Sequence, residues 1–218
     1  MLDATIMNKR TVLIGARLFF GLLALVAIGR QLAIQIASGA SLVNFFSYFT
    51  NLSNIFAAVV LLLGALSLIT QREPTVSADI MRGTAVVCMA LVGLVFSVLL
   101  RNEDLGHLSP WVNIVLHYIM PVVVVAEWLY QPPTTRLVVT QVWLWLIVPA
   151  LYLAYSLIRG AVVGFYAYPF FNPAKSGGYA GVALYCIAIL LAFVLCCWLL
   201  MTGGNKRQRH MSETNARA

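Results

Sequence analysis

Charge is what this sequence has least of. Only 10% of its 218 residues are charged, and seven of them are acids. A soluble domain of that size carries about a quarter charged residues. With 61% hydrophobic residues and a mean hydropathy of +0.90, the chain has more apolar surface than a water-soluble core can hide. Metal-binding side chains are also scarce. Of three histidines, His210 lies in the C-terminal tail and His107 in a connection, so His117 alone falls at membrane depth. That disfavours a bis-histidine haem, and zinc would lack the carboxylates and thiols it needs in the same layer. The four cysteines, Cys88, Cys186, Cys196 and Cys197, lie in apolar stretches without metal-ligand spacing and read as small buried residues. Glu127 is the only acid within a span, so there is no row of acids for a proton relay. No cofactor and no metal is expected. Nucleic acid is an unsuitable partner for a chain without a soluble domain, and membrane lipids and a lipid-like small molecule are the expected ones.

Long apolar runs, by contrast, are abundant. About 20 apolar residues cross roughly 30 Å of hydrocarbon. Six such stretches occur, at roughly 12–36, 46–70, 80–100, 110–130, 140–159 and 178–202. They are continuous rather than alternating, which predicts helices and not barrel strands. The expected fold class is all-α: a single polytopic domain, a bundle of six transmembrane helices. The first stretch is too long for a signal-peptide core, and Arg17 and Arg30 interrupt it. Lys9, Arg10, Arg72, Arg82, Arg136, Lys206, Arg207, Arg209 and Arg217 fall on the side of the two termini, against Arg101, Arg159 and Lys175 opposite. The positive-inside rule then predicts cytoplasmic N- and C-termini.

Polar residues gather in the outer half of this bundle. Arg30, Gln31 and Gln35 end the first span. Ser47, Thr50, Asn51 and Asn54 have helical i, i+3, i+4, i+7 spacing at the start of the second, above the small residues Ala57, Ala58 and Gly64. Asn113 and His117 are one turn apart in the fourth, and Tyr152, Tyr155, Ser156 and Arg159 form a stripe in the fifth. Lipid offers such groups no hydrogen bonds, so they must face one another or water. A polar pocket open to the outer side is expected, with Arg30 buried in it; the alternative is a network that only holds the helices together. The connection 160–177, with Tyr168, Pro169, Phe170 and Phe171, reads either as an aromatic interface belt or as a bent cover over the bundle.

The chemistry on offer is a lone imidazole among hydroxyls. A neutral histidine can take a proton from Thr50, Ser47 or Ser53 and make it a nucleophile, with Asn113 holding the other ring nitrogen. Amides inside a helix are already bonded, so Asn51, Asn54 or Arg30 would have to stabilise an oxyanion. A non-catalytic carrier or receptor, binding a small amphipathic ligand through Arg30, Arg159 and the tyrosines, is the competing reading.

Three segments carry a family resemblance: Phe46-Ser47-Tyr48-Phe49-Thr50; Trp111-Val112-Asn113 followed by His117, Pro121 and Glu127; and Tyr168-Pro169-Phe170. They resemble the androgen-induced protein family, six-span membrane hydrolases of fatty acid esters of hydroxy fatty acids. The resemblance implies Thr50 as nucleophile and His117 as its essential histidine, hence an intramembrane hydrolase of lipid acyl esters. It implies a bacterial branch, and with it the inner (plasma) membrane. After Thr50 this sequence continues Asn51-Leu52-Ser53-Asn54, more polar than the family's stretch.

Overall fold

The computed structural model describes residues 2–104, 106–134 and 136–217, with side chains at 2–8, 141–142 and 215–217 left aside. Among the described residues all regular structure is helical. The helices are α1 (Leu2–Ala37), α2 (Leu42–Phe45), α3 (Phe49–Ile69), α4 (Val76–Val95), α5 (Pro110–Ile114), α6 (Met120–Tyr130), α7 (Val139–Val163) and α8 (Gly178–Arg217). A π-helical turn, Phe96–Leu100, prolongs α4, and another, Val115–Ile119, joins α5 to α6. Six helical stretches are long and apolar enough to cross a membrane: Lys9–Ala37, Phe49–Ile69, Val76–Leu100, Pro110–Tyr130, Trp143–Val163 and Gly178–Thr214. The chain is a multi-pass integral membrane protein.

The helix ends obey local chemistry rather than hydropathy. The Thr75 hydroxyl caps α4 by accepting from the Ala78 amide at 3.1 Å. Pro110 opens α5, where a missing N–H does no harm. The second span starts at Phe49, three residues later than its apolar run suggests, because α2 and a turn occupy the residues before it. Ser47 therefore lies outside α3 and not on its polar face. The last helix runs to Arg217, well past the apolar stretch, because polar residues continue a helix as readily as apolar ones. At 40 residues it is roughly 60 Å long, more than the bilayer spans.

The most buried span is the third; α4 packs against α3, α6, α7 and α8. Close approach depends on small residues. Ala57 and Ala58 are fully buried, and a Cβ at Gly83 would lie 2.1 Å from the Trp145 ring.

In the half of the bundle nearer the two termini, four charges that the sequence reading left apart meet in one cluster. Arg17 donates through Nε to Glu127 Oε1 at 2.9 Å, through Nη2 to the same oxygen, and to the Gln131 side chain at 2.6 Å. Arg82 reaches both Glu127 oxygens at 3.2 Å and Asp79 Oδ1 at 3.2 Å. The other Asp79 oxygen accepts from the amide and hydroxyl of Thr134, each at 2.7 Å. Two cations and two anions cancel, which is what allows them at this depth. Asp79 is a second acid inside a membrane-crossing helix, missed because α4 begins at Val76 rather than near residue 80. Glu127 is a member of this cluster.

Candidate functional site

The site is built where two helices are interrupted. Thr50 is the second residue of α3, so its amide precedes the first helical bond and has no partner within the helix. The Tyr168 hydroxyl supplies one: it accepts from the Thr50 amide at 3.2 Å and lies 3.4 Å from the Thr50 hydroxyl. The Thr50 amide is thus bonded, as expected of amides in this layer, but to a side chain rather than within the helix, because the helix starts just before it. Burial pushes the Tyr168 phenol above its ordinary pKa, so it keeps its proton near neutrality and can donate.

His117 lies in the π turn Val115–Ile119. There each amide reaches five residues back, as Met120 does to Val115. The residue that would serve Leu116 is Pro121, which has no N–H. The Asn54 amide fills the gap, donating to the Leu116 carbonyl at 3.2 Å and to the Thr50 carbonyl at 2.9 Å. One fully buried side chain therefore fixes the Thr50 turn relative to the residue before His117. The imidazole stacks on Phe96, from the other π turn, with centroids 4.0 Å apart. Its Nδ1 lies 3.3 Å from the backbone carbonyl of Asn113. A carbonyl only accepts, so this contact puts the hydrogen on Nδ1 and leaves Nε2 basic. Asn113 holds the ring as expected, but through its backbone rather than its side chain.

Two cavities meet here. An apolar chamber of about 480 Å³ lies among α3, α4, α7, α8 and the 3₁₀ turn Pro169–Phe171. It is lined by residues such as Val92, Leu153, Phe171 and Phe193, with Tyr152 at its wall. A polar chamber of about 450 Å³ is lined by Gln31, Asn51, His117 and, at its exposed mouth, Glu103, Asp104 and Lys175. Thr50, Tyr168 and Leu100 line both, and His117 lines the polar one. The connection before α8 is a cover rather than an interface belt, since Tyr168, Phe170 and Phe171 are buried. Tyr168 and Phe170 stack nearly parallel, and Tyr168 meets Phe171 edge-on.

Not all the candidate residues belong to this site. Arg30 is a correction: it is exposed and lines neither chamber. It lies thirteen residues from buried Arg17, about 140° away around the same helix, so both cannot face the bundle. It lies seven residues from the helix end, close enough for a long side chain to extend toward water. Gln31, fourteen residues from Arg17, is buried in its stead and bonds the His107 carbonyl at 3.1 Å. Asn51 and Asn54 have their amides committed, the former to the Phe45 carbonyl at 2.8 Å. Ser47, Tyr155 and Arg159 form a separate outer network: Ser47 Oγ is 2.7 Å from the Tyr155 hydroxyl, Tyr152 donates to the Ser47 carbonyl, and Arg159 donates to Asn44 Oδ1 at 2.8 Å. The sequence reading missed Glu103, Asp104, His107 and Lys175 at the mouth, which the fold gathers from two connections. Comparison with protein-family models, with curated proteins and with solved structures found no match.

Proposed function

We propose that this chain is an intramembrane hydrolase of lipid acyl esters, with Thr50 as nucleophile and His117 as general base. The observation that carries the reading is the position of Thr50 on the wall shared by an apolar and a polar chamber, with an imidazole lining the polar one. An acyl chain fits the first and water reaches the second. In this mechanism His117 Nε2 takes the Thr50 proton while Oγ1 bonds to the acyl carbon. The carbonyl electrons move onto oxygen, where the Tyr168 hydroxyl can donate, joined by the Thr50 amide as it exchanges its bond to the phenol oxygen for one to the oxyanion. Collapse breaks the bond to the leaving alcohol, which takes the proton back from His117. Water, deprotonated by the same imidazole, then releases the acid and restores the threonine.

The resemblance of the three segments to the androgen-induced protein family supports the same roles for Thr50 and His117, and a bacterial inner-membrane location with both termini cytoplasmic accords with it. The carrier reading loses two of its anchors, since neither Arg30 nor Arg159 lines a chamber, and keeps the tyrosines Tyr152 and Tyr168. Labelling with a fluorophosphonate probe tests the proposal. The parent should be labelled, Thr50→Ala should not, and His117→Ala should be labelled far more slowly. Equal labelling of the parent and Thr50→Ala would remove Thr50 as nucleophile.

A further inference from the structure

The two chambers differ in what they can hold, and the difference bears on the substrate of the proposed reaction. The apolar chamber offers few hydrogen-bonding groups: the Thr50, Tyr152 and Tyr168 hydroxyls lie on its wall with the Cys186 thiol, and the rest is aliphatic or aromatic. A charged or hydrated group moved there would lose its water without replacement. The chamber reaches the side of the bundle, where Ala154 of α7 and Leu190 of α8 line it and are exposed. A chain can enter from lipid along that side. The polar chamber is the reverse. Gln31, Gln35, Glu103, Asp104, His107 and Lys175 give it donors and acceptors of both signs, and exposed residues rim its mouth at the outer end. An aliphatic segment lying there would strip water from these groups and pair none of them.

His117 lines the polar chamber with these residues. In acyl transfer the group that returns the proton must stand on the leaving-alcohol side. The acyl chain then belongs in the apolar chamber and the alcohol half in the polar one. Two acids against one lysine at the mouth disfavour an alcohol with several negative charges.

We propose that the substrate is a single-chain acyl ester of a water-soluble alcohol, a polyol or a zwitterion, whose acyl half occupies the chamber along α7 and α8 while its head occupies the outer one. A diacyl lipid fits poorly, because its second chain starts beside the ester, inside the polar chamber. An ester of two long chains fits poorly for the same reason. The inference rests on the hydrolase reading, and the experiment separates the two.

The full-length protein in nanodiscs is given 1-palmitoylglycerol and lysophosphatidylethanolamine, and in parallel dipalmitoylphosphatidylethanolamine and palmityl palmitate. The single-chain polar esters should show kcat/KM at least about tenfold higher, the discrimination that a few misplaced methylenes give. Ala154→Phe, which fills the apolar chamber, should lower kcat/KM for the palmitoyl ester by about tenfold or more. The same variant should keep hydrolysis of the butyryl ester, which also shows that it folds. Equal rates on palmityl palmitate or the diacyl lipid, or an Ala154→Phe variant unchanged on the palmitoyl ester, would overturn the substrate assignment and leave the hydrolase standing. No hydrolysis of any ester by the parent, with no fluorophosphonate label, would overturn the hydrolase and the assignment together.

Discussion

Replacing Glu127 by glutamine removes one of two negative charges that balance Arg17 and Arg82 inside the bundle. The shape is kept, and the cluster goes from neutral to a net single positive charge. The side chains involved are nearly sealed from solvent, with Arg17 at 5%, Arg82 at 11% and Glu127 at 10% exposure. Glu127 accepts from Nε and Nη2 of Arg17 and from Nη2 of Arg82; without its charge Arg82 keeps Asp79, and Arg17 is left with neutral acceptors only. Leaving an uncompensated buried charge costs about 3–5 kcal/mol, whereas an exposed pair is worth about 0–1. For a chain of this size each kcal/mol is worth about 2–4 °C, so the unfolding midpoint should fall by roughly 6–20 °C. The assay is thermal unfolding of the purified protein in nanodiscs, followed by tryptophan fluorescence. The double variant Arg17→Met/Glu127→Met removes both partners and should recover more than half of the loss, because neighbouring effects do not add. A midpoint within about 2 °C of the parent for Glu127→Gln would show that solvent relaxes the cluster, and would refute its place as a dry element of the inner half.

Other outcomes follow from the outer half and from the packing. Tyr168→Phe keeps the ring and its stacking but loses a donor to the developing oxyanion, so kcat should fall about a hundredfold with KM little changed; an unchanged kcat would exclude the phenol from that role. Gly83→Ala brings a Cβ against the buried Trp145 ring, and overpacking of about 1–3 kcal/mol or more should appear as lower yield and earlier unfolding. Reporters inserted near residue 75 and fused after residue 218 should both be cytoplasmic, and one near residue 172 outside; a cytoplasmic reporter near 172 would overturn the assigned orientation.

Hydropathy made the architecture legible, because lipid imposes the same demand on every span and the demand can be read residue by residue. Depth was legible too: Thr50, Asn54, His117 and Tyr168 are all drawn toward one layer. Rotation about each helix axis was not. Reading Arg30 as buried put weight on its depth alone, while the turn between it and Arg17 decides which one faces inward. The inner cluster escaped notice because its members come from α1, α4 and α6, and no local pattern joins them. That the Thr50 amide bonds the Tyr168 phenol rather than its own helix depended on the starting residue of α3, which hydropathy gives only to within a few positions.

Pro121 deprives the Leu116 carbonyl of its own helix's amide, and Asn54 from another helix takes the vacancy. Apolar helices in lipid slide and rotate past one another with little penalty, since one hydrocarbon face is nearly as good as the next. Here they cannot. A shift of α3 by one residue would move Asn54 about 1.5 Å along the axis and swing it roughly 100° around it. The carbonyl would then lose the amide that serves it, and an unmade hydrogen bond of a buried group costs about 1–3 kcal/mol. A flaw in one helix thus acts as a notch for another, and the axial offset of Thr50 from His117 is set in discrete steps rather than left to drift.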